Sequence, residues 1–132
     1  MAVTLAEAME ILNIKSNASF LLGRNYKPFL KRPKGSRTWY FDIFEYRKRE
    51  ALKSQIIANT GLLIEYLLHI EGFTGRYIAD SAKVTSSVVF QHKIGIKAAM
   101  KIIKFMNEHH SDVMDRFDNY YGFSNKWRMT DV

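Results

Sequence analysis

The chain has 132 residues, of which 47% are hydrophobic and 14% aromatic, and its formal net charge is +7. This hydrophobic content excludes a disordered protein and suffices for one compact domain or two very small ones. The lack of cysteine excludes disulfides, thiolate catalysis and cysteine-ligated zinc. A basic chain favours a polyanionic partner, with nucleic acid ahead of an acidic membrane surface.

The positive charge is concentrated in the N-terminal part of the chain. Residues 1–52 contain ten basic and five acidic residues, a net charge of +5, whereas residues 53–132 contain ten and eight, a net charge of +2. Between Glu10 and Asp42 lie seven lysines and arginines and no acidic residue. We therefore expect the N-terminal part to present the main phosphate-binding surface.

The chain shows no predicted signal peptide or membrane span. Glu7 and Glu10 lie close to the N-terminus, where a signal peptide would have a long apolar core. The most apolar stretch, residues 61–70, contains Glu65 and His69 and is too short to span a bilayer. We expect a cytoplasmic protein, nucleoid-associated in a bacterial host, with no membrane partner.

The first elements are predicted to be a helix, a turn and a second helix. Thr4 and Glu7 have the spacing of a capping box, and apolar residues then recur at helical intervals up to Asn13, a typical helix end. The second helix is predicted over residues 18–23.

A basic hairpin is predicted next. Extended residues 27–32 and 37–41 flank the turn Pro33-Lys34-Gly35-Ser36. Asp42 is predicted to cap a third helix, whose pattern continues towards Ile57. The sequence Asn59-Thr60-Gly61 is the best internal break, so a soft domain boundary is predicted near residues 53–60.

Residues 57–122 predict helices only. Helices are expected over residues 62–70, 76–82 (capped by Thr74), 86–94 and 96–106, with Gly95 interrupting the last two. An acidic and aromatic segment follows from His109. Residues 123–132 are expected to form a loosely ordered tail, with Trp127 able to dock.

Two segments of the N-terminal unit match a known arrangement: Thr4-Leu5-Ala6-Glu7-Ala8-Met9-Glu10-Ile11-Leu12-Asn13-Ile14 at the start, and Arg37-Thr38-Trp39-Tyr40-Phe41-Asp42 at the hairpin exit. With them, residues 4–52 resemble the winged helix-turn-helix domains of excisionases and MerR-type proteins. In that family the second helix enters the major groove, and the hairpin, or wing, contacts the DNA backbone or the minor groove. The resemblance implies helix-side contacts from Lys15, Ser16, Asn17, Ser19 and Arg24, and wing contacts from Lys31, Arg32, Lys34 and Arg37.

The basic hairpin also favours phosphate contact on physical grounds alone. Lysine and arginine side chains at a hairpin tip release counterions when they meet DNA, and arginine can in addition fork onto guanine or enter a narrow minor groove. The alternative is a solvated basic loop on an unrelated small domain.

A second DNA-binding motif is predicted further along the chain. Ala79, Val84 and Val89 have the spacing of the inward-facing positions of a helix-turn-helix, so residues 75–94 resemble the phage-repressor type. Lys83 stands where that motif prefers a glycine in the left-handed conformation. The resemblance implies DNA contacts from Thr85, Ser86, Ser87, Gln91, His92 and Lys93, with Gln91 able to pair with adenine. The alternative is an ordinary helical bundle that serves dimerisation.

Other groups of polar and aromatic residues are interpreted as structural or solvent-exposed rather than functional. His109, His110, Asp112 and Asp115 are spaced for a metal site but are interpreted as solvated, and His69 as a core residue. Asp42, Glu45 and Lys48 are interpreted as a helix cap with surface charges rather than a nuclease site. The aromatic residues Trp39, Tyr40, Phe41, Phe44 and Tyr46 could stack on single-stranded bases but more plausibly form the core beneath the wing. No catalytic activity, metal, cofactor or small-molecule substrate is predicted.

The sequence therefore predicts a mostly α protein with one short β-hairpin. A winged helix-turn-helix over residues 1–52 precedes a helical domain over residues 57–122 with a second helix-turn-helix. The expected function is sequence-specific binding of double-stranded DNA, as a transcriptional repressor from a phage or mobile element, with a possible homodimer through residues 62–70 or 96–106.

Three alternatives remain open at this point. The first is an architectural protein or recombination directionality factor, similar to an excisionase, that bends DNA. The second is an adaptor or inhibitor that uses the basic face to bind an acidic protein. The third is a DNA-targeting module related to a nuclease.

Overall fold

The computed structural model describes residues 2–15 and 26–130. The protein is mostly helical with a small three-stranded antiparallel sheet, which confirms the predicted fold class at this level. The contacts divide the chain into two compact units, Met1–Ala51 and Leu52–Val132. Within the described ranges, no helix is both long and apolar enough to cross a membrane.

The sheet of the first unit consists of β1 (Ala2–Thr4), β2 (Leu30–Lys31) and β3 (Tyr40–Asp42), in the order β1-β3-β2. The β2–β3 pair is the predicted hairpin, with Leu30 opposite Phe41. Residues 27–29, predicted to be extended, form a short 3-10 helix instead (Lys27–Phe29), because Pro28 fits the first turn of a helix. The strand β1 was not predicted, because three residues are too short for an alternating pattern to be recognised. It adds to the free edge of β3 and makes β3 the central strand.

The first helix, α1 (Leu5–Ile11), begins as the sequence predicts. The Thr4 hydroxyl accepts a hydrogen bond from the Glu7 backbone N–H at 3.3 Å, and the Glu7 carboxylate accepts one from the Thr4 N–H at 3.3 Å, so the capping box is confirmed. After the helix, Asn13 takes a left-handed conformation with φ of 55°, as expected for a helix stop. The second helix predicted over residues 18–23 lies outside the described residues.

The core of the first unit is small and rich in aromatic side chains. Ala8, Phe41 and Ile43 are buried, and apolar residues from α1 and the sheet pack around them. The rings of Phe29 and Tyr46 lie edge-on to each other at 5.6 Å, and both lie within 6.1 Å of the Phe41 ring. This cluster fixes the base of the hairpin to the following helix.

The helix α2 (Ile43–His69) is longer than predicted and runs through the break expected at residues 59–61. Asn59 and Thr60 are buried there. The Thr60 hydroxyl donates a hydrogen bond to the Ile56 carbonyl at 2.7 Å, so its polar group is not left without a partner. Gly61 packs near Ile94, whose Cδ1 lies 3.8 Å from the position of a Cβ on Gly61. The predicted break was wrong because packing overrides the weak helix propensity of these residues.

The second unit continues with α3 (Gly75–Ala82), α4 (Ser86–Phe90), α5 (Ile96–His109), α6 (Ser111–Tyr121) and α7 (Lys126–Met129). Thr74 caps α3 as predicted, since its hydroxyl accepts a hydrogen bond from the Tyr77 N–H at 3.1 Å. The helix predicted over residues 86–94 ends at Phe90 instead. The chain then passes through His92 in a left-handed conformation with φ of 54°, which lets Ile94 return to the core.

One hydrophobic core holds the second unit together. It includes the fully buried side chains Leu63, Ile64, Ile78, Val89, Ile102, Met106, Met114 and Phe117. The predicted inward face of residues 96–106 is confirmed, because Ala99, Ile102, Ile103 and Met106 are all buried. The predicted apolar stretch 62–70 is buried only in part, since Leu62 and Ile70 are exposed.

The loosely ordered tail predicted for the C-terminus is wrong for the residues that the structure describes. Trp127 and Arg128 of α7 are buried, and the Trp127 indole N–H donates to Asp118 at 2.7 Å. Docking of Trp127 is thus confirmed. The error arose because a short polar segment gives no periodic signal, whereas its order comes from contacts with α5 and α6.

Candidate nucleic-acid interface

The basic hairpin is a well-defined loop. The Ser36 N–H donates to the Pro33 carbonyl at 3.0 Å, and Gly35 between them has φ of 82°, as the third position of a type II turn requires. The Ser36 hydroxyl then accepts a hydrogen bond from the Thr38 N–H at 3.1 Å. These bonds place the loop at a fixed position above β2 and β3.

The hairpin carries four exposed cations: Lys31, Arg32, Lys34 and Arg37. None of them forms an ion pair with another residue in the described ranges. The Arg32 guanidinium lies over the Trp39 ring, with its central carbon 5.2 Å from the ring centroid. This cation–π contact limits the freedom of Arg32 while leaving its outer N–H groups exposed. The arrangement offers a compact group of positive charges to an anion.

The aromatic residues near the hairpin divide between core and surface. Phe41 and Tyr46 belong to the core beneath the hairpin, as predicted. Burial, with Glu50 nearby, raises the pKa of the Tyr46 phenol to about 12, so this group stays neutral. Phe44, also predicted for the core, is 63% exposed because it lies on the outer face of α2. Trp39 is partly buried beneath Arg32 rather than open to a base.

Of the predicted helix-side contacts in the first unit, the structure describes Lys15 alone, and Lys15 is exposed. Ser16, Asn17, Ser19 and Arg24 lie outside the described residues. The expected structural role of Asp42 is confirmed, because its carboxylate accepts a hydrogen bond from the Glu45 N–H at 3.0 Å and so caps α2. This cap sets the start of α2 immediately after the hairpin.

The second motif forms two helices joined by the turn of residues 83–85. Ala79 and Val89, predicted to face each other across the pair, are 5% and 0% exposed, and Val84 packs partly into the same core. Lys83 ends α3 in the left-handed conformation expected for this position, with φ of 59° and ψ of 46°. These features match the local pattern that the sequence predicts for residues 75–90.

The predicted DNA contacts of this motif fall in two groups. Thr85 and Ser86 are exposed at the start of α4, and the partly buried Ser87 has its hydroxyl 3.0 Å from that of Thr85. The remaining three, Gln91, His92 and Lys93, are exposed but follow α4 instead of lying on it. The helix therefore presents its N-terminal residues and not a long base-reading face.

His92 contacts another side chain of the same protein, which the sequence did not indicate. Its Nε2 lies 2.7 Å from one carboxylate oxygen of Glu65, while His69 lies 3.0 Å from the other. A carboxylate in this position repels the phosphates of DNA, so the predicted DNA contact of His92 is electrostatically disfavoured. His69, predicted to be a core residue, is exposed, with 72% of its side-chain surface accessible.

The residues discounted as a metal site are engaged in other contacts. His110 Nε2 lies 2.9 Å from the Tyr77 hydroxyl, Asp112 pairs with Arg116, and Asp115 pairs with Arg128. Within residues 2–15 and 26–130, no group of three or more metal-ligating side chains is assembled.

A buried polar network, which sequence reasoning missed, orders the C-terminal segment. Arg128, with 2% of its side-chain surface exposed, donates to Asp118 at 2.7 Å, to Asp115 at 2.5 Å and to the Asn107 amide oxygen at 2.9 Å. The sequence does contain a signal for this network: Asp115 and Asp118 lie about one helical turn apart and are followed by Trp127 and Arg128. The network is a structural element of α5, α6 and α7.

A second missed network joins the end of α2 to α6. The Arg116 guanidinium donates to both oxygens of Glu71 at 2.9 and 3.0 Å, and the Tyr66 hydroxyl donates to Glu71 at 2.6 Å. The hydrogen bonds from Arg116, followed by the one from Tyr66, hold the pKa of Glu71 below its usual value. Burial, together with Glu71, raises the pKa of Tyr66 to about 12. At neutral pH the Glu71–Arg116 pair is therefore ionised, while the Tyr66 phenol stays neutral.

Comparisons with protein-family models, with curated proteins and with solved structures found no match. The resemblances to excisionase, MerR-type and phage-repressor domains stay predictions. The structure supplies a capped first helix, a basic hairpin and, in the second unit, two helices with a tight turn.

Proposed function

We propose that the protein binds double-stranded DNA in a sequence-specific manner and represses transcription by occupying its site. The observation that carries this proposal is the hairpin with Lys31, Arg32, Lys34 and Arg37 exposed and without ion-pair partners among the described residues. Cations that a fold leaves unpaired on one fixed loop are available for phosphate groups. Neutralising phosphates releases counterions, which is the dominant sequence-independent source of DNA affinity.

The geometry of the hairpin favours a nucleic acid over a diffuse polyanion. Its type II turn and its pairing with β3 hold the cations on a rigid element, so little conformational entropy is lost on binding. Arg32 is in addition oriented by Trp39. An oriented guanidinium can bind a phosphate or a guanine edge with two parallel hydrogen bonds.

The second unit supports the sequence-specific part of the proposal. Thr85 and Ser86 stand exposed at the start of α4, where hydroxyl groups can bond to base edges or phosphates. Gln91 is exposed immediately after the helix, where the oxygen and the NH2 group of its side-chain amide can pair with adenine. The base-reading role therefore falls on short polar side chains, while the hairpin supplies most of the phosphate contacts.

A charge-removal experiment tests the proposal. The double variant Arg32→Ala/Lys34→Ala is compared with Lys97→Ala/Lys126→Ala, which removes the same charge from exposed helical positions of the second unit. We expect the hairpin variant to reduce the magnitude of the negative slope of log affinity against log salt by about 1.8, since each lost phosphate contact contributes about 0.9. The control variant should keep the wild-type slope.

Two results would contradict the proposal. The first is a wild-type protein that does not retain duplex DNA at about 50 mM salt, where electrostatic binding is strong. The second is an equal loss of affinity in the hairpin and control variants, which would indicate attraction by net charge instead of contact by the hairpin.

A further inference from the structure

A shallow depression of about 250 Å³ in the second unit brings together three lysines from two elements. Lys83 follows the end of α3, and Lys101 and Lys104 lie one turn apart on α5. The rest of its lining comes from Ser81, Ala82, Phe105, Glu108 and His109. Although α3 and α5 are separated in sequence, their packing thus collects positive charge at one place.

The charges of this depression are not neutralised within the protein. Lys83, Lys101 and Lys104 are exposed, and none of them forms an ion pair with another residue in the part of the chain that the structure describes. Glu108 also lines the depression and offsets one positive charge. Three lysines and one glutamate leave a local charge of +2.

The backbone of Lys83 provides an independent argument. Its φ of 59° and ψ of 46° lie in the left-handed region, where a residue with a Cβ is sterically penalised and glycine is not. A lysine at such a position is uncommon, which makes its side chain a candidate for a functional role. The side chain lines the same depression as Lys101 and Lys104.

We propose that this depression binds a phosphate group of the DNA backbone. The inference rests on the proposed function and adds a second backbone contact, made by the second unit. Lys83 begins the turn that leads into Thr85 and Ser86 at the start of α4. A phosphate held at the depression therefore fixes the position of these hydroxyl groups relative to the duplex. Ammonium groups are compact charges with rotating donors, which suit the oxygens of a phosphodiester.

The first test removes two lysines of the depression. Lys101→Gln/Lys104→Gln is compared with Lys97→Gln/Lys126→Gln, a control with the same charge loss, in which Lys97 lies on α5 but outside the depression. Binding to a labelled duplex of mixed sequence is measured in a salt series. We expect the first variant to lose roughly twenty-five-fold in affinity at about 0.15 M salt, roughly fivefold per lysine, and the control to lose far less.

The second test uses Lys83→Gly, for which stability and binding should change in opposite directions. Removing the Cβ relieves the left-handed residue, so the melting temperature should rise by a few degrees. Losing the ammonium group should lower duplex affinity by roughly fivefold at about 0.15 M salt. Unchanged affinity would overturn the proposal, and a lower melting temperature would overturn the argument from backbone strain.

The outcomes separate this inference from the proposed function. If the hairpin variant Arg32→Ala/Lys34→Ala loses affinity while Lys101→Gln/Lys104→Gln behaves as its control does, the depression is not a phosphate site and DNA binding by the hairpin stands. If the wild-type protein does not bind the duplex, both proposals fall. If both variants lose affinity beyond the control, both are supported.

Discussion

Removal of Arg128 should strongly destabilise the second unit. Its guanidinium donates to Asp118, Asp115 and Asn107 within 2.9 Å, and only 2% of its side-chain surface is exposed. In Arg128→Met the Asp118 carboxylate, 8% exposed, would keep the Trp127 indole N–H as a donor but lose its counter-ion. Leaving a buried charge unpaired costs about 3–5 kcal/mol.

The prediction is checked by urea unfolding and by thermal unfolding, both followed by circular dichroism. For a domain of this size, 1 kcal/mol corresponds to about 2–8 °C, so the melting temperature should fall by at least about 6 °C. Lys126→Met on the same helix is the matched control, and as an exposed substitution it should cost no more than about 0.5 kcal/mol.

A double variant then isolates the ion pair. Arg128→Met/Asp118→Asn removes both charges and keeps a side-chain oxygen that can accept the Trp127 indole N–H, so it should be more stable than Arg128→Met alone. A loss of less than about 1 kcal/mol in the free energy of unfolding of Arg128→Met would refute this prediction, because leaving a buried carboxylate without its counter-ion costs more than that.

Two further predictions concern other polar contacts. Glu71 has a lowered pKa, so its contribution to stability is present above about pH 4.3, the ordinary glutamate value, and is lost as the pH falls through the lower folded-state pKa. In Arg116→Met the melting temperature should therefore fall less steeply below about pH 4.3 than in the wild type, and an unchanged slope would contradict the assignment. Thr4→Ala should destabilise the first unit by about 1 kcal/mol through loss of the capping box, measured by chemical unfolding with the exposed Thr38→Ala as control. Equal effects of the two threonine substitutions would argue against the cap.

The elements with local signals could be predicted from the sequence. The capping box of Thr4 and Glu7, the Thr74 cap and the turn at Gly35 all depend on side chains within three residues of each other. The inward faces of α3 and α5 follow from helical periodicity. These features are encoded by short-range geometry and so can be inferred from one sequence.

The features that depend on distant contacts could not be predicted. The continuous α2 depends on the burial of Asn59 and Thr60, and the early end of α4 on the return of Ile94 to the core. The order of α7 depends on Asp118, ten residues before Arg128. In each case the stabilising partner is brought close only by the folded chain, and the local propensity points the other way.

The candidate interface shows the same division. The hairpin cations were recognisable because they lie within seven residues of each other around a Pro/Gly turn. The lysines at 83, 101 and 104 were not, because they meet only when α3 packs on α5. The contact of His92 with Glu65 is likewise a product of the tertiary fold.

Selection from random duplex DNA tests the central claim most directly. The purified protein is incubated with a pool of random-sequence duplexes, and the retained molecules are sequenced after several rounds, with Arg32→Ala/Lys34→Ala treated in parallel. The account predicts that the wild-type protein enriches a defined motif and that the variant retains little DNA, because the hairpin supplies much of the phosphate contact. A retained pool without any enriched motif would contradict sequence-specific binding.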